Sequence, residues 1–155
     1  MIPEIDRIRT LLTAAGCAWT RPRAQVLAVL TAVAHPLRVE EIHRRLGDPR
    51  INLSSVYRAL HLFHRLNVVR RLQLGDGAAR YELAEAYRGH HHHLVCDACG
   101  RIEDVSRCPL EGRDLGAALG AAAAFAVRSH SLELFGLCGS CARGDGGGGV
   151  AAGRP

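Results

Sequence analysis

Apolar positions in the first half of the chain recur at helical spacing. Ile5, Ile8, Leu11 and Leu12 define one amphipathic segment, and Gly16 marks its end. Thr20 is suited to cap a second helix, with Pro22 in its first turn, where a missing N–H costs little. Val26, Leu27 and Leu30 give that helix its buried stripe. A shorter segment, Val39 to Leu46, stops at Gly47, and Asn52 or Ser54 caps the next, whose inner side is Val56, Leu60 and Phe63. The spacing then changes to that of strands over Val68–Leu74 and Arg80–Leu83, joined by Gly75-Asp76-Gly77, a hairpin signal. Helices followed by such a hairpin are the order of a winged helix.

A second region begins near residues 84–89. His90–Cys96 and Ile102–Val105 have strand character, and Leu132 and Leu134 continue a third strand towards Cys138. Between them, Leu110–Phe125 is Ala-rich enough for a helix, although Gly112, Gly116 and Gly120 each weaken it by roughly 1 kcal/mol relative to Ala. After Arg143 the chain, with Gly146 to Gly149, is too poor in apolar side chains to pack. The expected organisation is therefore α+β: a winged-helix domain over 1–84, a hinge at 85–89, a small α/β domain over 90–143 and a disordered tail over 144–155.

Charge sharpens this division. Residues 1–80 hold 13 Arg against 6 acids, a net of +7, and residues 81–155 hold 7 Arg against 9 acids, a net of −2. The basic half suits a polyanion. On the helix after Asn52, Ser54, Arg58, His61 and Arg65 lie opposite the apolar stripe, as a major-groove helix requires. No run of about 18 apolar residues suggests a membrane span. The acidic start lacks an export signal, so the chain reads as cytoplasmic, where CxxC pairs are metal ligands rather than disulfides.

Metal chemistry is written most plainly. Cys96, Cys99, Cys138 and Cys141 form two CxxC pairs, with 38 residues between Cys99 and Cys138. Four thiolates close a tetrahedral zinc shell and leave no open position, which makes a structural clasp. The histidine run His90 to His93 is then left for other ions. If it is extended, His90 and His92 face one side and His91 and His93 the other, so one strand feeds two sites. His35, His130, Glu82, Asp104 and Glu111 are the available further ligands. Cys17 reads as a packing residue, and Cys108 as a residue that could approach the second site.

These features resemble the ferric uptake regulator (Fur) family of bacterial metal-sensing repressors over roughly residues 5–141. The stretches that carry the resemblance are Thr20-Arg-Pro-Arg23, Ser54-Ser-Val-Tyr-Arg-Ala-Leu60, Tyr81-Glu-Leu83, His90-His-His-His-Leu-Val-Cys-Asp-Ala-Cys-Gly100 and His130-Ser-Leu-Glu-Leu-Phe-Gly-Leu-Cys138. The resemblance implies a homodimer that binds two-fold symmetric operator DNA when a regulatory metal is loaded, and no enzymatic activity. It implies structural Zn2+ on the four cysteines, and a regulatory ion on His35, Glu82, His91, His93 and Asp104, with Glu85 the alternative to Glu82. An additional site would use His90, His92, Glu111 and His130. DNA contacts fall to Arg23, Ser54, Ser55, Tyr57 and Arg58. The regulatory ion is expected to be Fe2+, since Ala84 to Gly89 lacks the cysteine that zinc sensors often carry there, with Zn2+ close behind and Mn2+ third. The competing readings are a zinc-uptake regulator, a peroxide sensor, a zinc-dependent hydrolase and a zinc-stabilised dimerisation module.

Overall fold

Ile8 and Leu12 are fully buried on one side of the first helix, α1 (Pro3–Ala14), and Gly16 ends the turn beyond it at φ +69°. The coordinates are a computed structural model describing residues 3–112 and 127–144, and the chain divides into two compact units after Gly89. In the first unit α2 (Arg21–Ala32) buries Val26, Leu27 and Leu30. Thr20 does occupy its N-cap position, but the hydroxyl makes no capping bond. Pro22 removes one of the N–H groups that such a hydroxyl serves.

A two-residue strand, β1 (Leu37–Arg38), leads straight into α3 (Val39–Leu46), which closes on Gly47 in the left-handed conformation. The Arg38 N–H donates to the Glu41 carboxylate at 2.7 Å, securing the start of α3. The helix α4 (Leu53–Arg65) is capped by Asn52, whose Oδ1 accepts from the Ser55 N–H and hydroxyl at 2.9 Å each. Its exit is a left-handed residue too, Asn67 at φ 54°, and the Val68 N–H returns to the Phe63 carbonyl at 2.8 Å. This reversal sends the chain into the wing.

The wing is β2 (Val69–Gln73) and β3 (Ala79–Leu83), antiparallel with Arg71 opposite Tyr81. β1 adds to the far side of β3, giving the order β1-β3-β2. Val56, Ala59, Leu60 and Phe63 of α4 join the buried residues of α1, α2, α3 and the sheet in one core. A four-residue helix, α5 (Glu85–Arg88), occupies what the sequence presents as a linker.

The second unit is a sheet of order β5-β4-β6: β4 (His92–Cys96) in the centre, β5 (Ile102–Val105) antiparallel to it and β6 (Glu133–Gly136) parallel. A short helix, α6 (Gly139–Ala142), carries the second CxxC pair. Residues 109–112 form a turn with Gly112 at φ +72°, so no helix begins at Leu110. The remainder of that expected helix, with Gly116 and Gly120, and nearly all of the expected tail lie outside the described residues. Among the described residues no helix is long and apolar enough to cross a membrane.

Candidate metal centres and nucleic-acid face

Two ends of β4 carry two different donor sets. At its C-terminal end the Cys96, Cys99, Cys138 and Cys141 sulfurs all lie within 4.8 Å of one another. A tetrahedral ion with metal–sulfur bonds of about 2.3 Å needs sulfurs about 3.8 Å apart. The Cys99 and Cys138 sulfurs are 3.8 Å apart. The β4–β5 turn supplies the first pair, closed by the Gly100 N–H on the Cys96 carbonyl at 2.9 Å. The Cys138 N–H points at the Cys96 sulfur from 3.3 Å, and with the Cys99 N–H it holds that thiol down at about 6, well below the usual thiol range. The hydrogen bond to the Cys138 sulfur, with burial, pushes Cys141 up. One thiol is thus ready to ionise, and its neighbours share protons that an ion would displace. The cluster is typical of structural zinc.

At the other end of β4 the histidines sort by face. The His90 and His92 rings meet at 4.6 Å, and the His91 and His93 rings at 5.1 Å. The alternation expected of an extended run is therefore present. On the first face His130 completes a cluster, its Nε2 3.1 Å from that of His90. Parallel register explains the meeting: His93 lies opposite Glu133, an offset of 40, and His130 is 40 residues beyond His90. The Cys108 sulfur lies in the same group of donor atoms, whereas Glu111, expected there from the resemblance, is exposed and outside the group. Cys108 is buried, and its sulfur sits 3.2 Å from His130 Nε2. The antiparallel register, with His92 opposite Val105, carried on for two residues sets His90 opposite Arg107, beside Cys108.

On the second face Asp104 Oδ1 lies 3.7 Å from His93 Nε2. In the first unit Glu82 is 1% exposed and accepts from Arg70 Nε, with Arg88 Nη1 at 3.8 Å. Glu85, more exposed, pairs with Arg70 at 3.5 Å. Neither arginine's part was apparent from the sequence. His35 stands half-exposed in the bend between α2 and β1, outside every group of donor atoms close enough to share an ion among the described residues.

The outward face of α4 presents Ser54, Tyr57, Arg58, His61 and Arg65, all exposed, Tyr57 by 47%. Arg58 Nη2 donates to the Ser55 hydroxyl at 3.1 Å, which steadies the guanidinium over the helix start. Arg23 donates to the Ala18 carbonyl at the head of α2.

A winged helix with an arginine-bearing outward helix, followed by a thiol-clasped sheet rich in imidazole, is the build of a metal-dependent DNA-binding regulator. The Ferric uptake regulator family matches residues 14–135. The ferric uptake regulation protein of Bacillus subtilis (strain 168) is 33% identical over 142 residues, covering 89% of this chain and 94% of the relative. That of Escherichia coli (strain K12) is 34% identical over 132 residues, covering 83% and 86%. Among solved structures, the Helicobacter pylori ferric uptake regulator Fur, with three functional metal binding sites, superposes at a TM-score of 0.75 with 28% identity over 90% of this chain and 91% of that one. The chain belongs to the ferric uptake regulator family, whose members regulate metal uptake.

Proposed function

We propose that this protein is a transcriptional repressor that binds operator DNA of two-fold symmetry as a homodimer when a regulatory ion is loaded, and so controls metal-uptake genes. The observation that carries the proposal is the sorting of the β4 histidines. It leaves His91 and His93, with Asp104 3.7 Å from His93, as a donor set of nitrogen and oxygen separate from the thiol clasp. Glu82, at the end of the wing, completes this set in the proposal, with His35 as a further imidazole. An ion held by ligands from both units would restrain each DNA-binding unit in the pose that adjacent half-sites demand. Metal and DNA would then favour the same conformation, and each would raise the other's affinity by one factor.

Arg58, Tyr57, Ser54 and Ser55 on α4 would read or anchor the duplex, with Arg23 on the phosphates. Pairing of two copies is supported by the exposed Leu94, Leu134 and Leu137 around a groove of about 300 Å³ beside β6, an edge strand. Oxygen and imidazole donors without thiolate suit Fe2+ or Mn2+, and the proposed ion is Fe2+. Zn2+ binds most such donors more tightly, so affinity in a tube does not identify the physiological metal. The test has two arms. Binding to an inverted-repeat duplex is measured with and without Fe2+ under anaerobic conditions, and equal affinity would remove the proposal. Transcripts of a deletion strain are then compared with the parent under iron and zinc starvation. Genes whose control is lost only where iron is the variable support Fe2+, and control that follows zinc overturns that choice.

A further inference from the structure

We propose that the site formed by His90, His92 and His130 is closed by the Cys108 thiolate, giving a four-coordinate centre of one sulfur and three nitrogens that takes zinc in preference to ferrous iron. It rests on the reading above only in supposing that the chain uses an ion beyond the regulatory one.

The four donor atoms lie within 4.8 Å of one another. Zinc–nitrogen bonds of about 2.05 Å and a zinc–sulfur bond of about 2.3 Å at tetrahedral angles require separations of about 3.3 Å between nitrogens and about 3.6 Å from nitrogen to sulfur. Two of the pairs, His90 to His130 at 3.1 Å and Cys108 to His130 at 3.2 Å, need only a few tenths of an ångström of opening. The surroundings also suit a thiolate. The Leu110 N–H points at the Cys108 sulfur from 3.3 Å, the separation at which the Cys138 N–H meets Cys96 in the clasp. Glu111 follows within the same turn but turns to solvent. Three segments, brought together by the β4–β5 and β4–β6 registers, thus converge on one point, with His92 and Cys108 buried and His90 and His130 partly exposed.

The donor set decides the ion. Sulfur with imidazole in a closed tetrahedron fits zinc, whereas the nitrogen and oxygen donors on the opposite face of β4 fit ferrous iron or manganese. On binding, the Cys108 proton leaves to solvent and no electron moves. One strand then separates two metals by face, through the single sulfur on one side.

The test uses full-length protein whose cysteine clasp is already loaded with zinc, titrated with Co2+ and read by absorption. One equivalent should bind with intense tetrahedral bands in the visible and a sulfur-to-cobalt charge-transfer band in the near ultraviolet, whereas Co2+ taken by the nitrogen and oxygen donors of the opposite face carries no sulfur band. Cys108→Ser should lose the charge-transfer band and bind Co2+ at least tenfold more weakly. Cys108→Asp should recover binding without that band, showing that the fold is intact, and Glu111→Gln should match the parent within twofold. Zn2+ should displace the cobalt at concentrations where Fe2+ does not. Overturning results are a parent spectrum without the charge-transfer band, a Cys108→Ser spectrum like the parent's, or loss of binding in Glu111→Gln. Duplex binding by the same proteins separates this proposal from the previous one: metal-independent binding with the sulfur band intact would sink only the repressor reading.

Discussion

Asp76 sits in the wing turn, where its carboxylate accepts from Arg80 Nη1 at 2.8 Å, from Arg38 of β1 and from the Ala78 N–H at 3.1 Å. Burial alone would raise this carboxyl, but the two guanidiniums and the amide outweigh it and hold it at about 2, against 3.8 for a free group. The unfolded chain therefore binds the proton more readily than the folded one, and the contribution to stability is complete above about pH 5. It shrinks as pH falls below 3.8 and is lost through about 2. A difference of about 1.8 pH units corresponds to about 2.4 kcal/mol, which solvent screening at this partly exposed turn reduces to about 1–2 kcal/mol. Asp76→Asn removes that amount at pH 7. Urea unfolding followed by Trp19, the single tryptophan, which packs against the core of the first unit, reports it directly. The gap between parent and variant should stay level from pH 7 to 5 and narrow by more than half at pH 2.5. A gap that is absent at pH 7, or unchanged at pH 2.5, would mean that the Asp76 carboxylate does not stabilise the wing in this way.

Phe63, fully buried where α4 meets the core, should cost about 3–5 kcal/mol when cut to Ala, a large part of the stability of a unit this size, read in the same urea experiment. Cys99→Ser should release one zinc per chain by elemental analysis and lower the melting temperature of the second unit, while the Trp19 transition stays in place. Arg58→Ala touches no core residue, so it should leave stability within about 0.5 kcal/mol and weaken duplex binding by about 1–3 kcal/mol, measured by anisotropy. An equal loss on unrelated duplexes would assign Arg58 to phosphate rather than base contact.

Much of the fold was legible because it is locally encoded. The 3.6-residue stripes of Val26, Leu27 and Leu30 and of Val56, Leu60 and Phe63 are the buried faces of α2 and α4, and Gly47 and Asn52 mark real helix boundaries. The two-residue strand β1 and the four-residue helices α5 and α6 were not legible, since so few residues carry no period. The thiol clasp could be read from spacing alone, because CxxC turns bring their own geometry. Cys108 could be read only as a residue able to approach the second site. Its place depends on two strand registers, one of them joining segments 40 residues apart, and such pairing leaves no local trace, whereas Glu111 was expected there from the family resemblance. The arginines around Glu82 were hidden for a similar reason: Arg70 faces it only through the β2–β3 register.

An ion on Glu82, His91 and His93 and a duplex on α4, if they favour one conformation of the chain as proposed, must each tighten the binding of the other. The direct measurement is a closed cycle: Mn2+, as a stable stand-in for Fe2+, is titrated into the protein with and without a saturating inverted-repeat duplex. The duplex is likewise titrated with and without saturating Mn2+. The two ratios of affinity should be equal and well above one, and Glu82→Ala should bring both to one. Ratios of one in the parent protein, or a Glu82→Ala variant that keeps the full factor, would contradict it.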